Sequence, residues 1–153
     1  MMKSACLAFI ALAMVLMAGP AFALDAPANL TVVVGATTLD FDWDDVVDAE
    51  KYSVDIEGTV IYLDSNLQEV EADIELSFGT SDRTDGGAME DSDLTILIDD
   101  LADAIALELG ISADDLVSLN AEAKVKALNS GKNKGRQNNP FSTSVDFSVD
   151  FTL

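Results

Sequence analysis

The chain contains no histidine and only one cysteine, Cys6. Without imidazole, and with no second thiol, the nucleophile–base pairs of the common acyl-transfer enzymes have no residues to be built from. No serine stands in a Gly-x-Ser-x-Gly elbow. Paired carboxylates of the glycosidase kind remain, but among 28 acidic residues close pairs arise by chance, and aromatic residues that would line a sugar cleft are only 7% of the chain. No residue is therefore assigned a catalytic role, and the chain reads as a non-enzyme. Cations are also scarce, 8 Lys and Arg against 28 Asp and Glu, for a net charge of −20. Nucleic acids and anionic lipid surfaces are bound through clustered cations, so neither is an expected partner. Long hydrophobic runs are missing too: the longest, residues 5–17, is shorter than the ~20 residues that a membrane-spanning helix needs.

That run has a different meaning. Lys3 precedes it, Gly19-Pro20 breaks it, and the small-x-small triplet Ala21-Phe22-Ala23 follows. Charge, short apolar stretch, helix breaker and small-residue end are the parts of a cleavable secretory signal peptide over residues 1–23, with cleavage after Ala23 and a secreted or periplasmic product. Cys6 lies inside the apolar stretch, where lipid attachment does not fit. The processed chain would enter an oxidising compartment without a thiol, held together by packing alone. Residues 24–153 have the size of a single domain with one core. All 28 acidic residues lie there, and Lys3 is the only cation that does not, so the processed form is one unit more negative than the whole chain.

What is present in quantity is alternation of period two, the mark of half-buried strands. Leu30, Val32 and Val34 form a first short strand. Leu39, Phe41 and Trp43 then alternate with Asp40, Asp42 and Asp44, and Tyr52, Val54 and Ile56 with Ser53, Asp55 and Glu57, ending at Gly58. Residues 59–63 and 70–78 read as the two arms of a hairpin around the turn Asp64-Ser65-Asn66. Residues 79–93, rich in glycine and small polar residues, read as a mobile surface loop. Leu94, Ile96 and Ile98 mark a fifth strand, capped by Asp99-Asp100, and Leu101, Ile105 and Leu109 fall at helical spacing before Gly110. Ser112 opens one more helical turn through Leu119. Ala123, Val125 and Ala127 belong to a sixth strand, and Phe141, Thr143, Val145, Phe147, Val149 and Phe151 to a long final one. The expected fold is all-β: a seven-stranded antiparallel sandwich with a short helical insert between the fifth and sixth strands.

Pro27-x-x-Leu30-x-Val32, Leu39-x-Phe41-x-Trp43, Ala49-x-x-Tyr52-x-Val54-x-Ile56 and Val125-x-Ala127-x-Asn129-x-Gly131 resemble the A, B, C and F strand signatures of fibronectin type III domains. The resemblance implies an Ig-like sandwich in which Trp43 is core. The chain departs from the family at Ala121, where a corner tyrosine is usual, and in its helical insert. That insert is similar to the one in the Ig-like N-terminal modules of starch-binding outer-membrane lipoproteins, which implies a shared architecture without a shared substrate.

Three groups of residues are candidates for binding. Asp40, Asp42, Asp44, Asp45 and Asp48 form the densest acidic stretch; Asp40 and Asp42 fall on the solvated face of a strand, leaving Asp44, Asp45 and Asp48 as ligands for a hard cation such as calcium. A calcium loop beginning at Asp40 fails at Asp45, where glycine is needed, and at Lys51, where a bidentate glutamate is needed. Once Phe41, Trp43, Tyr52, Phe141, Phe147 and Phe151 are assigned to the core, Tyr62 and Phe78 are the rings left to stack on a sugar. Finally, Lys124, Lys126, Lys132, Lys134 and Arg136 gather most of the cations around one turn of an otherwise acidic domain, a dipolar layout suited to protein contacts or self-association. The function expected is an exported binding, adhesion or assembly module without a cofactor, with a carbohydrate-binding accessory protein of the cell envelope as the alternative.

Overall fold

A computed structural model describes residues 23–129 and 139–152. Residues 1–22, which make up all of the expected leader but Ala23, and the candidate residues Lys132, Lys134 and Arg136, lie outside the described residues. Seven strands form two antiparallel sheets that pack face to face. One sheet has the order β1-β2-β5, from Thr31–Val34, Thr38–Asp42 and Asp93–Leu97; the other has the order β4-β3-β6-β7, from Glu69–Gly79, Lys51–Leu63, Leu116–Leu128 and Val145–Asp150. Among the described residues a single α-helix, α1, spans Ile98–Leu109 between the fifth and sixth strands. This is the seven-stranded antiparallel sandwich, with its helical insert between the fifth and sixth strands, that the alternation led to expect. Among the described residues no helix is long and apolar enough to cross a membrane.

The core is the set of residues that alternation points inward. Leu39 and Phe41 of β2, Tyr52, Val54, Ile56 and Val60 of β3, and Leu119, Ala123, Val125 and Ala127 of β6 are all buried. Phe41 meets Phe147 of β7 edge to face at 6.2 Å, and Trp43 meets Tyr52 at 5.1 Å, the arrangement that aromatic quadrupoles favour. Leu101 and Ile105 bring α1 into the same core. Each large apolar side chain removed from water contributes roughly 1.5–3 kcal/mol, so these rings and branched chains are the main source of cohesion.

The structure departs from the sequence expectations in five places. Gly58 does not end a strand: β3 runs through it for 13 residues. A Cβ on Gly58 would stand 2.3 Å from the Asn120 carbonyl oxygen and 2.6 Å from Ala121 Cα, so glycine is there because β6 approaches too closely for a side chain. Ile98 belongs to the helix, and the N-cap is Leu97, with no side-chain cap; Asp99 and Asp100 sit in the first turn, where their charge meets the positive end of the helix dipole. The C-terminal stop is as expected, with Gly110 in the left-handed region at φ 67°. Ser112 caps only a short turn over Ala113–Asp115, its hydroxyl accepting from the Asp114 N–H, after which β6 begins at Leu116. The last strand is shorter than expected, Val145–Asp150, and the backbone of Phe141 joins β6 in an isolated bridge to Lys126. Phe141 is therefore not core: the Lys124 and Lys126 ammonium groups lie 4.6 and 4.9 Å from its ring centre on the outer side of the sheet.

The fifth departure concerns residues 79–93, which are tied down rather than loose. Thr80 is fully buried; its hydroxyl accepts from the Tyr52 N–H at 2.9 Å and donates to the Met89 carbonyl at 2.6 Å. Beyond it the chain closes around the Arg83 guanidinium, whose side chain is only 6% exposed.

Candidate functional site: an acidic sheet face

The outward residues of the four-stranded sheet are set by the same alternation that builds the core. Antiparallel register places Glu75 opposite Glu57, Glu57 opposite Glu122, and Glu122 opposite Asp146, a row of carboxylates crossing every strand of the sheet. The adjoining row is Asp73, Thr59, Asn120 and Ser148, in which Thr59 donates to Asp73 at 3.2 Å and Ser148 to the Asn120 side chain at 2.8 Å. These two rows line an open groove of about 920 Å³, joined at its margin by Glu108 of α1. Among the described residues, the one ion pair on the row is Lys124 to Glu57 at 3.2 Å, partly exposed on both sides and so worth under about 1 kcal/mol. Cross-strand carboxylates at strand spacing repel one another, and a single lysine at one side leaves most of that field standing.

At the end of β7, Asp150 accepts from both the hydroxyl and the N–H of Thr152, which hold its carboxyl below the usual range. A second groove, between the β1–β2 turn, the start of α1 and the end of β7, has Val34, Ile98 and Val149 in its lining together with Asp99, Asp103 and Asp150. The negative field thus extends from the sheet face to one end of the sandwich.

The candidate cation ligands Asp44, Asp45 and Asp48 are exposed on the connection between β2 and β3. Asp44 accepts from the Asn29 side-chain amide at 2.7 Å, and Asp48 has a left-handed φ of 67°. Among the described residues, no group of three His, Cys, Asp or Glu side chains is gathered so as to hold a metal ion. Tyr62 and Phe78 are half-buried and packed against the core. Phe78 lies opposite Val54, so the two rings stand toward opposite ends of β3, about 27 Å apart at ~3.4 Å per residue, and share no platform.

Sequence reasoning missed the cluster at Arg83. Its guanidinium donates to both oxygens of Asp85, to Asp93 Oδ1 at 2.7 Å and to the Ala88 carbonyl at 2.6 Å, and it fills the space a side chain at Gly87 would need. The hydrogen-bonded Arg83 holds the Asp85 carboxyl well below the ordinary carboxylate range, against the opposing effect of burial, with the Thr95 and Gly87 N–H groups assisting. Asp85 in turn raises the guanidinium further above its already high range. The only signal in the sequence is a lone arginine between acids in a glycine-bearing loop.

No family model matches this chain, and no curated protein matches it. Among solved structures it is similar to a Fn3-like protein from Clostridium thermocellum, 12% identical, over 82% of this chain and 92% of that one, with a TM-score of 0.39.

Proposed function

We propose that the processed domain is an exported, non-enzymatic binding and assembly module that works through protein contacts, its acidic sheet face receiving a cationic segment. The occupant favoured is the segment carrying Lys132, Lys134 and Arg136 of a second copy, which gives head-to-tail association. The observation that supports this reading is the carboxylate row Glu75, Glu57, Glu122 and Asp146 along an open groove, in a chain that carries five of its 8 cations within residues 124–136. Complementary charge of this kind steers encounter and sets register, and it weakens with salt.

Light scattering of the exported protein across concentration tests it. Oligomers are expected at about 0.02 M salt and their loss at about 0.5 M, where the Debye length falls to a few ångströms. Glu122→Lys alone, or Lys132→Ala with Lys134→Ala and Arg136→Ala, should each leave monomers. A protein that stays monomeric at every salt, and on a glycan array binds saturably unless Tyr62 or Phe78 is replaced by alanine, would put a carbohydrate-binding module in place of this reading.

A further inference from the structure

The start of the described chain is built into the fold. Ala23 is exposed, whereas Leu24 is buried in the core cluster, and Pro27 and Leu30 are buried after it. The Leu24 N–H donates to Asn139 Oδ1 at 3.0 Å. Asn139 is itself only 5% exposed, and its side-chain amide donates to the Ala127 carbonyl of β6 at 2.8 Å. One buried side chain thus uses both ends of its amide to clamp Leu24 to β6. A buried amide with both ends satisfied is costly to disturb, because opening it strands two donors and two acceptors.

We propose that the Ala23–Leu24 bond is a processing site that folding closes: the leader is removed while the chain is still open, and Asn139 then captures the Leu24 amine that cleavage releases. The proposal rests on the reading of residues 1–23 as a cleavable leader. Hydrolysis adds water across the Ala23–Leu24 amide, leaving a carboxylate on the leader and an α-ammonium on Leu24, the same nitrogen that faces Asn139 Oδ1. An endopeptidase needs the residues on both sides of the bond drawn out. In the folded domain the Leu24 side chain is in the core and its N–H is engaged, so cutting has to wait for local opening and follows the population of the opened form.

The test uses the full-length chain with its leader retained, folded in mild detergent and checked by circular dichroism, against a synthetic peptide of residues 1–30 that has no domain to fold into. Both are given signal peptidase, and cutting between Ala23 and Leu24 is timed by mass spectrometry. The folded chain is expected to be cut at least roughly tenfold more slowly than the peptide, and folded Asn139→Ala to recover most of that difference. Equal rates for folded chain and peptide overturn the proposal; an Asn139→Ala chain that folds yet stays as slow as wild type overturns the role of Asn139. If Asn139→Ala does not fold, the comparison of chain and peptide decides alone. A peptide left uncut at this bond refutes the leader reading itself, a failure separate from the others.

Discussion

Replacing Arg83 by methionine removes the guanidinium while keeping much of the buried stem. The charge is nearly sealed from solvent, with 6% of the side chain exposed, and its main partner Asp85 is 14% exposed, whereas Asp93 is 61% exposed. The Asp93 contact is that of a surface pair and contributes under about 1 kcal/mol. The Asp85 pairing and the bond to the Ala88 carbonyl are shielded, and losing them leaves Asp85 partly buried without its cation. Charge-assisted bonds of this kind are worth about 1.5–3 kcal/mol, so Arg83→Met should cost about 3 kcal/mol in all. Urea unfolding followed through Trp43 emission measures it at neutral pH. The pH dependence supplies a second readout with a defined sign. The Asp85 carboxyl has a depressed pKa in the fold and an ordinary one near ~4 when unfolded, so its contribution is complete above that value and fades as pH falls toward the folded one. The gap between wild type and Arg83→Met should therefore hold steady from neutral pH down to about 5 and narrow below about 4. A cost under about 0.5 kcal/mol, typical of ordinary surface substitutions, or a gap that widens in acid, would refute the assignment of Arg83 as the anchor of this loop.

Two further substitutions probe the sheets. Gly58→Ala puts a methyl group 2.3 Å from the Asn120 carbonyl oxygen, which only a separation of β3 from β6 relieves, so it should destabilise by about 2–3 kcal/mol in the same urea assay with the fold retained by circular dichroism. Tyr52→Phe keeps the ring against Trp43 but deprives the buried Val46 N–H of the Tyr52 hydroxyl it donates to at 3.0 Å, a loss of about 1–2 kcal/mol that thermal melting would register.

Alternation made the sandwich legible because one face of each strand must leave water and the other must stay in it. Leu39, Phe41, Trp43, Tyr52, Val54 and Ile56 all went where period two sends them. The errors came where a tertiary contact overrides a local rule. Gly58 looks like punctuation until β6 is seen pressing on it, and Ile98 continues a strand pattern until α1 takes it over. Phe141 has a core side chain in a core rhythm, yet two lysines on the neighbouring strand hold it outside. The loop at Arg83 could not be read because its order comes from one long side chain reaching partners 2 to 10 residues away, which leaves no periodic trace. The acidic face was legible residue by residue, since each carboxylate stands at an outward position. That Glu75, Glu57, Glu122 and Asp146 fall into one row is a matter of register, which strand spacing in the sequence does not give.

That row also says something about what the face is for. Adjacent strands run about 5 Å apart, and two unit negative charges at that separation repel by about 0.8 kcal/mol even at the dielectric of water. Solubility requires only that the surface be charged; scattering the same acids among neutral neighbours would give it without the repulsion. A cationic segment laid along the groove, as proposed, would remove the repulsion on binding, so part of its affinity would be strain released from the free domain, largest at low ionic strength. The edge of the sheet points the same way. Strand β4, 11 residues long, lies at the edge of its sheet, but its outward Glu71, Asp73 and Glu75 would meet their own copies in an in-register β4-to-β4 pairing. Like charges in register disfavour that pairing, while a strand or loop bearing lysine and arginine meets opposite charge at each step. On the proposed reading, the same carboxylates that keep this edge from joining to itself would select a cationic partner.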